Sequence, residues 1–493
     1  MGYPIHHPIH PGPPTLPAAG YHGGMRRLLL PLLLPLLLAM TGSATGSAPE
    51  RPNVLLILTD DQTLESMRVL EKTQRLLGRE GTTFANASVS YPICCPSRAT
   101  VLTGQYAHNH KVMGNNPPEG GYSRLDHSNT LPVWLQEAGY ATGHVGKYLN
   151  GYTGPEVPAG WSRWFGLSDP STYRMYDYTV IDDGERVHYG KATDDYQTDV
   201  LAVKAEEILR DFIRSGDPFF LSVAPVAPHQ ERSDEAGKGT PPRPAPRHAG
   251  RFAREPLPHS TGTTAFDEAD VQDKPPHIRK LPRLSEAKRA SILRTYRSQL
   301  ESLLAIDDLV ERLAGVLEET GELDRTVIVF TSDNGFFHGQ HRIMDGKLLP
   351  YEEAVHVPLI VRGGGFPKGR TALQPVSNID LAPTIVALTG VAARRKMDGH
   401  NLLPLALDPS QGQDRALLVE GLSRNSARPS YEAVRTSRWM WIEYRNGNRE
   451  LYDLKADPGQ LQSRHKAPAL SKVRADLARR LAGLRKCVGA GCR

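Results

Sequence analysis

The sequence predicts an α/β fold built around a largely parallel β-sheet. Two short apolar runs, Val54–Leu58 and Val327–Phe330, have the length and residue types of buried parallel strands. Between these runs, segments with helical spacing alternate with further strand-like segments. That alternation is typical of a sheet whose faces are covered by helices.

The remaining elements follow from periodicity and from the residues that end each segment. Apolar residues at helical spacing, or a short helical stretch before a glycine, predict helices over 64–79, 132–138 and 292–317. Short apolar runs predict strands over 141–145 and 219–223. After residue 405 the pattern changes to short strands at 417–420, 439–444 and 450–452, followed by a helix over 470–484. A small α+β C-terminal domain is therefore expected.

The chain of 493 residues is long enough for more than one domain. Met25-Arg26-Arg27, an apolar run and a small-residue stretch predict a signal peptide, so we assign 1–48 to a leader and expect a secreted or extracytoplasmic protein. Residues 49–405 are assigned to a catalytic domain and 406–493 to a C-terminal subdomain. Within the former, 231–288 lacks periodicity and is expected to be a long surface insertion; loops of this length are often a lid or a substrate wall, and the alternative is a flexible excursion.

Composition excludes several classes of protein. A hydrophobic fraction of 39% and a charged fraction of 23% fit a soluble globular enzyme. The net charge of +5 is mild and the arginines are scattered, so nucleic acid is not an expected partner. Beyond the leader, no run approaches the roughly 20 apolar residues that span a bilayer, so a stable membrane span is not expected either.

The four cysteines fall into two pairs. Cys487 and Cys492 can close a small disulfide loop in an exported protein, and the sequence leaves this pairing open. Cys94 and Cys95 are adjacent, and adjacent residues rarely pair with each other. Two thiols alone also make a poor zinc site, so at least one of them is expected to have a chemical role.

Acidic and amide side chains follow the two apolar runs. Asp60 and Asp61 come directly after the first, and Asp333 and Asn334 after the second. Ligands bind at the carboxyl ends of strands in open α/β sheets. Because these four side chains offer oxygen atoms, they are suitable ligands for Ca²⁺.

The segment Cys94–Gly104 resembles the sulfatase signature, in which Cys-x-Pro-Ser-Arg is followed by Leu-Thr-Gly. The sequence also resembles N-acetylglucosamine-6-sulfatases and extracellular heparan 6-O-endosulfatases. These relatives share the adjacent cysteines and have segments similar to His108–His110 and Gly146–Asn150. The resemblance implies an alkaline-phosphatase-like sandwich. It also implies a sulfuric ester hydrolase in which Cys94 is oxidised to formylglycine by a formylglycine-generating enzyme. One hydroxyl of the aldehyde hydrate attacks sulfur, and the other then expels sulfate.

The same resemblance implies roles for individual residues. One Ca²⁺ ion is expected to be bound by five of them: Asp60, Asp61, Cys94, Asp333 and Asn334. The predicted catalytic residues are Cys94, Arg98, Lys147, His229 and Lys347. The predicted substrate-binding residues are Asn115, Asn150 and His341. Leu149 and Phe337 stand where many relatives have histidine, so those two roles are not transferred.

The expected substrate is a sulfated N-acetylglucosamine or another glycosaminoglycan-like sugar, and three alternatives stay open. The enzyme could be a general arylsulfatase that accepts aryl sulfates. It could also be a phosphonate or phosphodiester hydrolase of the same superfamily, although Asn334 favours sulfate. A catalytically dead glycan-binding relative is the third alternative, but none of the signature residues is lost.

Overall fold

A computed structural model describes residues 51–232, 239–257, 265–422 and 429–493. The predicted leader, 1–48, lies outside the described residues. Residues Arg51–Arg493 belong to one compact unit. Among the described helices, none has both the length and the apolar composition needed to cross a bilayer.

The described strands form one large sheet and three smaller ones. In chain order the strands are β1 (Asn53–Thr59), β2 (Thr82–Phe84), β3 (Ala87–Ser88), β4 (Ala141–Gly146), β5 (Arg163–Leu167), β6 (Tyr178–Asp182), β7 (Glu185–Tyr189), β8 (Phe219–Ala224), β9 (Glu231–Arg232), β10 (Gly239–Thr240), β11 (Thr326–Ser332), β12 (Leu359–Arg362), β13 (Arg370–Ala372), β14 (Val376–Ser377), β15 (Leu417–Gly421), β16 (Tyr431–Arg435), β17 (Trp439–Tyr444) and β18 (Arg449–Asp453).

The large sheet has ten strands in the order β13-β2-β12-β11-β1-β8-β4-β5-β6-β7. Its five central strands, β11 to β5, are all parallel, whereas β12, β6 and β7 pair in the antiparallel sense. The sheet is therefore mixed and mostly parallel at its centre, which confirms the predicted fold class.

The described part of the chain has eleven α-helices, several of which cover this sheet on its two faces. In chain order they are α1 (Glu71–Thr73), α2 (Cys94–Thr103), α3 (Ala107–His110), α4 (Leu131–Glu137), α5 (Gln197–Ser215), α6 (Pro276–Arg279), α7 (Glu286–Glu319), α8 (Glu352–Val355), α9 (Leu381–Thr389), α10 (Leu402–Leu407) and α11 (Ser471–Leu484).

The side chains of β1 alternate between two hydrophobic cores. Leu55 and Ile57 pack in the core that includes α5 and α7, while Val54 and Leu56 pack in the core that includes α2, α4, α9 and α10. Successive side chains of a strand point to opposite faces of its sheet. The all-apolar run of β1 is thus explained by burial on both faces.

The helix predicted over 64–79 is broken in the structure. It forms a 3₁₀ turn over Glu65–Val69, the short helix α1 and a π-helical turn over Gln74–Gly78. The carboxylate of Asp307 on α7 accepts hydrogen bonds from the backbone amides of Lys72 and Thr73. This contact caps a new helix after Leu70, and periodicity alone cannot reveal a cap from a distant segment.

Three further differences concern the middle of the chain. Helix α7 begins at Glu286, before the predicted residue 292, because the Ser285 side chain accepts a hydrogen bond from the Lys288 amide and caps it. The segment 231–288, predicted as a surface insertion, contributes Glu268 and Lys274 to the buried part of the protein. Strands β5 to β7 and helix α5 are elements that the sequence pattern does not predict.

A four-stranded antiparallel sheet, β15-β16-β17-β18, forms the C-terminal part with α11. Its residues pack in two clusters, one of which also holds Cys487 and Cys492. These two cysteines are joined by a disulfide bond. The predicted small α+β C-terminal domain is confirmed, and the open question of the pairing is answered.

Candidate active site

The carboxyl ends of β1 and β11 lie side by side, since Thr59 pairs with Ser332 in parallel register. The backbone amide of Asp61 donates to Asp333 Oδ1 at 3.3 Å, and Asn334 Nδ2 donates to Asp61 Oδ1 at 2.6 Å. The parallel register therefore brings the two polar pairs into one buried cluster, although Asp61 and Asp333 are 272 positions apart in the chain.

Cys94 is the first residue of α2 and faces this cluster. Its Sγ lies 3.5 Å from Asp60 Oδ1 and accepts a hydrogen bond from Lys347 Nζ at 3.0 Å. The helix can begin here because Pro96 falls in its first turn, where an amide hydrogen is not needed. The start of a helix carries partial positive charge, which favours a bound anion.

Each carboxylate of the cluster contacts a cation. Lys147 pairs with Asp60, Lys347 pairs with Asp61, and Arg98 Nε donates to Asp333 Oδ2 at 2.7 Å. Arg98 also donates to the backbone carbonyl of Lys147 at 2.7 Å, which joins α2 to the end of β4. Three cations therefore balance three carboxylates, so an added divalent cation would give the cluster a net positive charge for an anionic substrate.

Burial and the neighbouring charges together set the pKa values of the cluster. Burial raises the pKa of the Cys94 thiol to about 11, and the nearby Asp60 carboxylate adds to that shift. Burial also raises the pKa of Asp61 and Asp333. For Asp60 burial acts in the same direction, but Lys147 and the other nearby positive charges outweigh it and hold the pKa below its usual range.

His229 lies five residues after the end of β8, next to Pro228, which forms a bridge with Asp60. Its Nδ1 donates to the Gln230 carbonyl at 2.6 Å, and its Nε2 lies 3.5 Å from Asp61 Oδ2. Burial and the positive charge of Lys347 lower the pKa of His229 to about 3, so the ring is neutral. A neutral ring with a proton on Nδ1 presents the lone pair of Nε2 to the cluster.

The cluster fits a hard cation. Single side-chain atoms of Asp60, Asp61, Cys94 and His229 all lie within 4.8 Å of one another, and all four residues are buried. Asn334 Oδ1 is buried without a hydrogen-bond partner among the described residues, and Asn334 contacts Asp61. Several carboxylate oxygens with an amide oxygen are a donor set that Ca²⁺ accepts. The sequence did not predict that His229 would lie within this group.

The predicted substrate-binding residues have different surroundings. Asn115 Oδ1 accepts a hydrogen bond from the Cys95 amide at 2.9 Å, so it adjoins the start of α2. Asn150 Nδ2 donates to the Tyr173 hydroxyl at 2.5 Å, and its Oδ1 has no partner in the described ranges. Asn115 therefore lies next to the residue that follows Cys94. Asn150 reaches the cluster through Tyr173, whose ring contacts Lys147 and His229.

His341 has a different environment, because it is fully buried between two carboxylates. Its Nδ1 lies 2.7 Å from Glu268 and its Nε2 lies 3.6 Å from Glu353. The described contacts do not join it to Cys94 or to the aspartates, so its role in substrate binding stays a prediction.

Tyr173 is a neighbour of the cluster that sequence reasoning missed. Its ring centroid lies 4.4 Å from the ring of His229 and 4.7 Å from Lys147 Nζ. Tyr173 ends a 3₁₀ turn over Ser171–Tyr173 in a segment without clear periodicity. No motif marks it, because its position depends entirely on tertiary contacts.

The chain matches the sulfatase family model over residues 52–391, which is more than half of its length. The chain belongs to the sulfatase family. A second family model, that of the N-sulphoglucosamine sulphohydrolase C-terminal region, matches residues 339–487 of this sulfatase.

Curated relatives support the same assignment. This sulfatase is 36% identical to human N-acetylglucosamine-6-sulfatase over 90% of its own chain and 86% of the relative. It is 37% identical to the extracellular sulfatase Sulf-1 homolog of Caenorhabditis elegans over 72% of its chain, and it spans about half of that longer protein, 49%. It is also 33% identical to an arylsulfatase of Volvox carteri, with 90% of its chain and 76% of the relative covered.

A solved structure supports the fold of this sulfatase. The likeness has a TM-score of 0.73 at 25% identity and covers 89% of this chain and 98% of the other. That structure is described as a complex with its substrate, D-glucosamine-2-N,6-O-disulfate. A phosphonate monoester hydrolase of Agrobacterium radiobacter, at 21% identity and a TM-score of 0.62, shares the fold alone.

Proposed function

We propose that this sulfatase is an exported enzyme that hydrolyses sulfate esters of N-acetylglucosamine or related glycosaminoglycan sugars. The observation that carries the proposal is the position of Cys94, at the start of α2 and in contact with both Asp60 and Lys347. Relatives named as N-acetylglucosamine-6-sulfatases support the substrate class. A structural neighbour described with a sulfated glucosamine as substrate agrees with it.

The proposal includes conversion of Cys94 to formylglycine by a formylglycine-generating enzyme during maturation. The raised pKa of the unmodified thiol, about 11, argues against a direct role for a Cys94 thiolate at neutral pH. When present, the modified side chain supplies a nucleophilic hydroxyl and a bound Ca²⁺ lowers the pKa of that hydroxyl. The ion would be held by Asp60, Asp61, Asp333 and Asn334.

The remaining residues have roles that follow from their charge and position. Lys147 and Lys347 flank the cluster and can bind sulfate oxygens, on which negative charge increases during transfer. Arg98 pairs with Asp333 and fixes the backbone that carries Lys147. His229 presents the unprotonated Nε2 towards the cluster and can accept a proton there and pass it to the leaving group.

The test compares three substrates on the modified enzyme. We expect higher kcat/KM for N-acetylglucosamine 6-sulfate than for 4-nitrophenyl sulfate, and no comparable activity on bis(4-nitrophenyl) phosphate. A site that hydrogen-bonds sugar hydroxyls leaves those groups unpaired against a flat aryl ring. Asp61→Asn serves as the matched inactive control. A clear preference for the aryl ester would make the enzyme a general arylsulfatase, and a preference for phosphate would make it a phosphodiesterase.

A further inference from the structure

The buried ring of Tyr173 is shared by residues inside and outside the proposed active site. Its exposed fraction is 1%. Lys147 and His229 contact the ring on the side of the cluster, at 4.7 and 4.4 Å from its centroid. The Tyr173 hydroxyl is held by Asn150. The ring is therefore held in place by Lys147, His229 and Asn150, all of which have roles in the proposed active site.

Arg232 contacts the same ring from β9, three residues after His229 in the chain. The central carbon of its guanidinium lies 4.3 Å from the centroid of Tyr173, and Arg232 as a whole is exposed. An arginine over an aromatic ring keeps its rim of N–H donors available to other groups. Arg232 thus presents an ordered cation to solvent, one ring away from Lys147.

The acidic neighbour of Arg232 does not neutralise it. Glu231 is bound by Arg243, whose Nε and Nη2 lie 2.8 and 2.7 Å from its two carboxylate oxygens. In the described ranges of the chain, no hydrogen bond or ion pair is found for the Arg232 guanidinium. Its donors are thus suited to an anion supplied from outside the chain.

We propose that Arg232 determines specificity by binding a second anionic group of the substrate, a sulfate or a carboxylate, beside the sulfate ester that is hydrolysed. This inference rests on the proposed function, because it needs a substrate with more than one anionic group. Sulfated glycans carry such groups either on the same sugar or on the next one. Arg232 would therefore favour doubly charged over singly charged esters.

The experiment measures kcat/KM of the intact modified enzyme on three substrates. These are N-acetylglucosamine 6-sulfate, glucosamine 2-N,6-O-disulfate, and a disaccharide in which a uronate adjoins N-acetylglucosamine 6-sulfate. We expect Arg232→Gln to lower kcat/KM by about 10- to 100-fold on at least one doubly charged substrate, mainly through KM, because a charge-assisted hydrogen bond is lost. Activity on the singly charged ester should change by less than about 3-fold.

Two control variants separate this effect from others. Arg479→Gln removes an exposed charge on helix α11, which packs against the C-terminal sheet; the Arg479 side chain is 73% exposed, and its loss should leave all three values unchanged. Arg232→Lys keeps the charge but loses the planar fork, so it should retain part of the preference. Whichever doubly charged substrate responds identifies the anion as sulfate or carboxylate.

Two outcomes would overturn the inference. If Arg232→Gln affects all three substrates equally, or none of them, Arg232 does not bind a second anion, while the proposed function stands. If the unaltered enzyme cleaves none of the three, the proposed function fails and the inference fails with it.

Discussion

The Nζ atom of Lys347 donates a hydrogen bond to the Sγ atom of Cys94 at 3.0 Å, although the two residues are 253 positions apart in the chain. Lys347 also pairs with Asp61, so one cation contacts both the predicted nucleophile position and a predicted metal ligand. This contact joins the loop after β11 to the start of α2. The loop after β11 therefore forms part of the proposed active site.

Replacing Lys347 should therefore impair catalysis more than folding. We expect Lys347→Gln to lower kcat by about 100- to 1000-fold, because a cation that stabilises charge on the sulfate oxygens is lost. Lys368→Gln is the matched control, since Lys368 is 71% exposed and pairs with Glu80 on the surface. Steady-state kinetics check the result, and equal activity of the two variants would exclude Lys347 from catalysis.

Removing the metal should abolish turnover. The Asp61 carboxylate accepts a hydrogen bond from Asn334, and its backbone amide donates to Asp333, so Asp61 contacts two of the other proposed ligands. We expect a chelator to inactivate the enzyme and Ca²⁺ to restore activity, and we expect Asp61→Asn to weaken Ca²⁺ binding in titration calorimetry. Asp308→Asn, which alters an ion pair with Lys72, provides the control. Full activity after chelation would remove the metal from the mechanism.

His229 should matter most for substrates with poor leaving groups. If Nε2 passes a proton to the leaving group, His229→Gln should reduce kcat by about 100-fold or more on a sugar sulfate. The loss should be much smaller on 4-nitrophenyl sulfate, because nitrophenolate leaves without a proton. A set of esters with graded leaving-group pKa measures this dependence. Equal losses across the set would indicate that His229 binds metal or sulfate instead.

The strand-end residues were predictable because the physics behind them is local and simple. An apolar run such as Val54–Leu58 must be buried, and parallel strands bring their carboxyl ends to one edge. The sequence pattern therefore predicts that Asp60 and Asp333 lie at the same edge of the sheet, whereas the direct pairing of β1 with β11 is seen only in the structure. The position of Cys94 beside these aspartates was expected only because its motif resembles that of sulfatases.

Features that depend on distant contacts were not predictable. The break at Leu70 arises because Asp307, more than 200 residues away, caps the chain after it. Tyr173 belongs to an irregular segment and gains its importance from Lys147 and His229. The environment of His341 likewise depends on Glu268, which lies in a stretch without periodicity. No local pattern encodes these relationships.

The stability contributed by His341 should depend on pH. Burial opposes its charge, but the hydrogen bond that its ring donates to Glu268 and the nearby negative charge of Glu353 outweigh burial and raise its pKa from 6.5 to about 9. Since the folded protein binds this proton more tightly than the unfolded chain, the stabilisation is complete below pH 6.5 and is lost as the pH rises towards 9.

We expect His341→Gln to lower the free energy of unfolding by about 3 kcal/mol near pH 6 and by much less at about pH 10. Denaturant titrations at several pH values measure this difference. His188→Gln is the control, because the His188 side chain is 59% exposed. A difference that does not change with pH would contradict the charged state assigned to His341.

The mass of the peptide that contains Cys94 and Cys95, measured on active enzyme, shows directly whether Cys94 is the modified nucleophile. We expect the mass of an aldehyde at Cys94 and an unmodified thiol at Cys95, together with loss of sulfate release in Cys94→Ala and retained activity in Cys95→Ala. Active enzyme with an intact Cys94 thiol, or full activity in Cys94→Ala, would contradict the proposed mechanism.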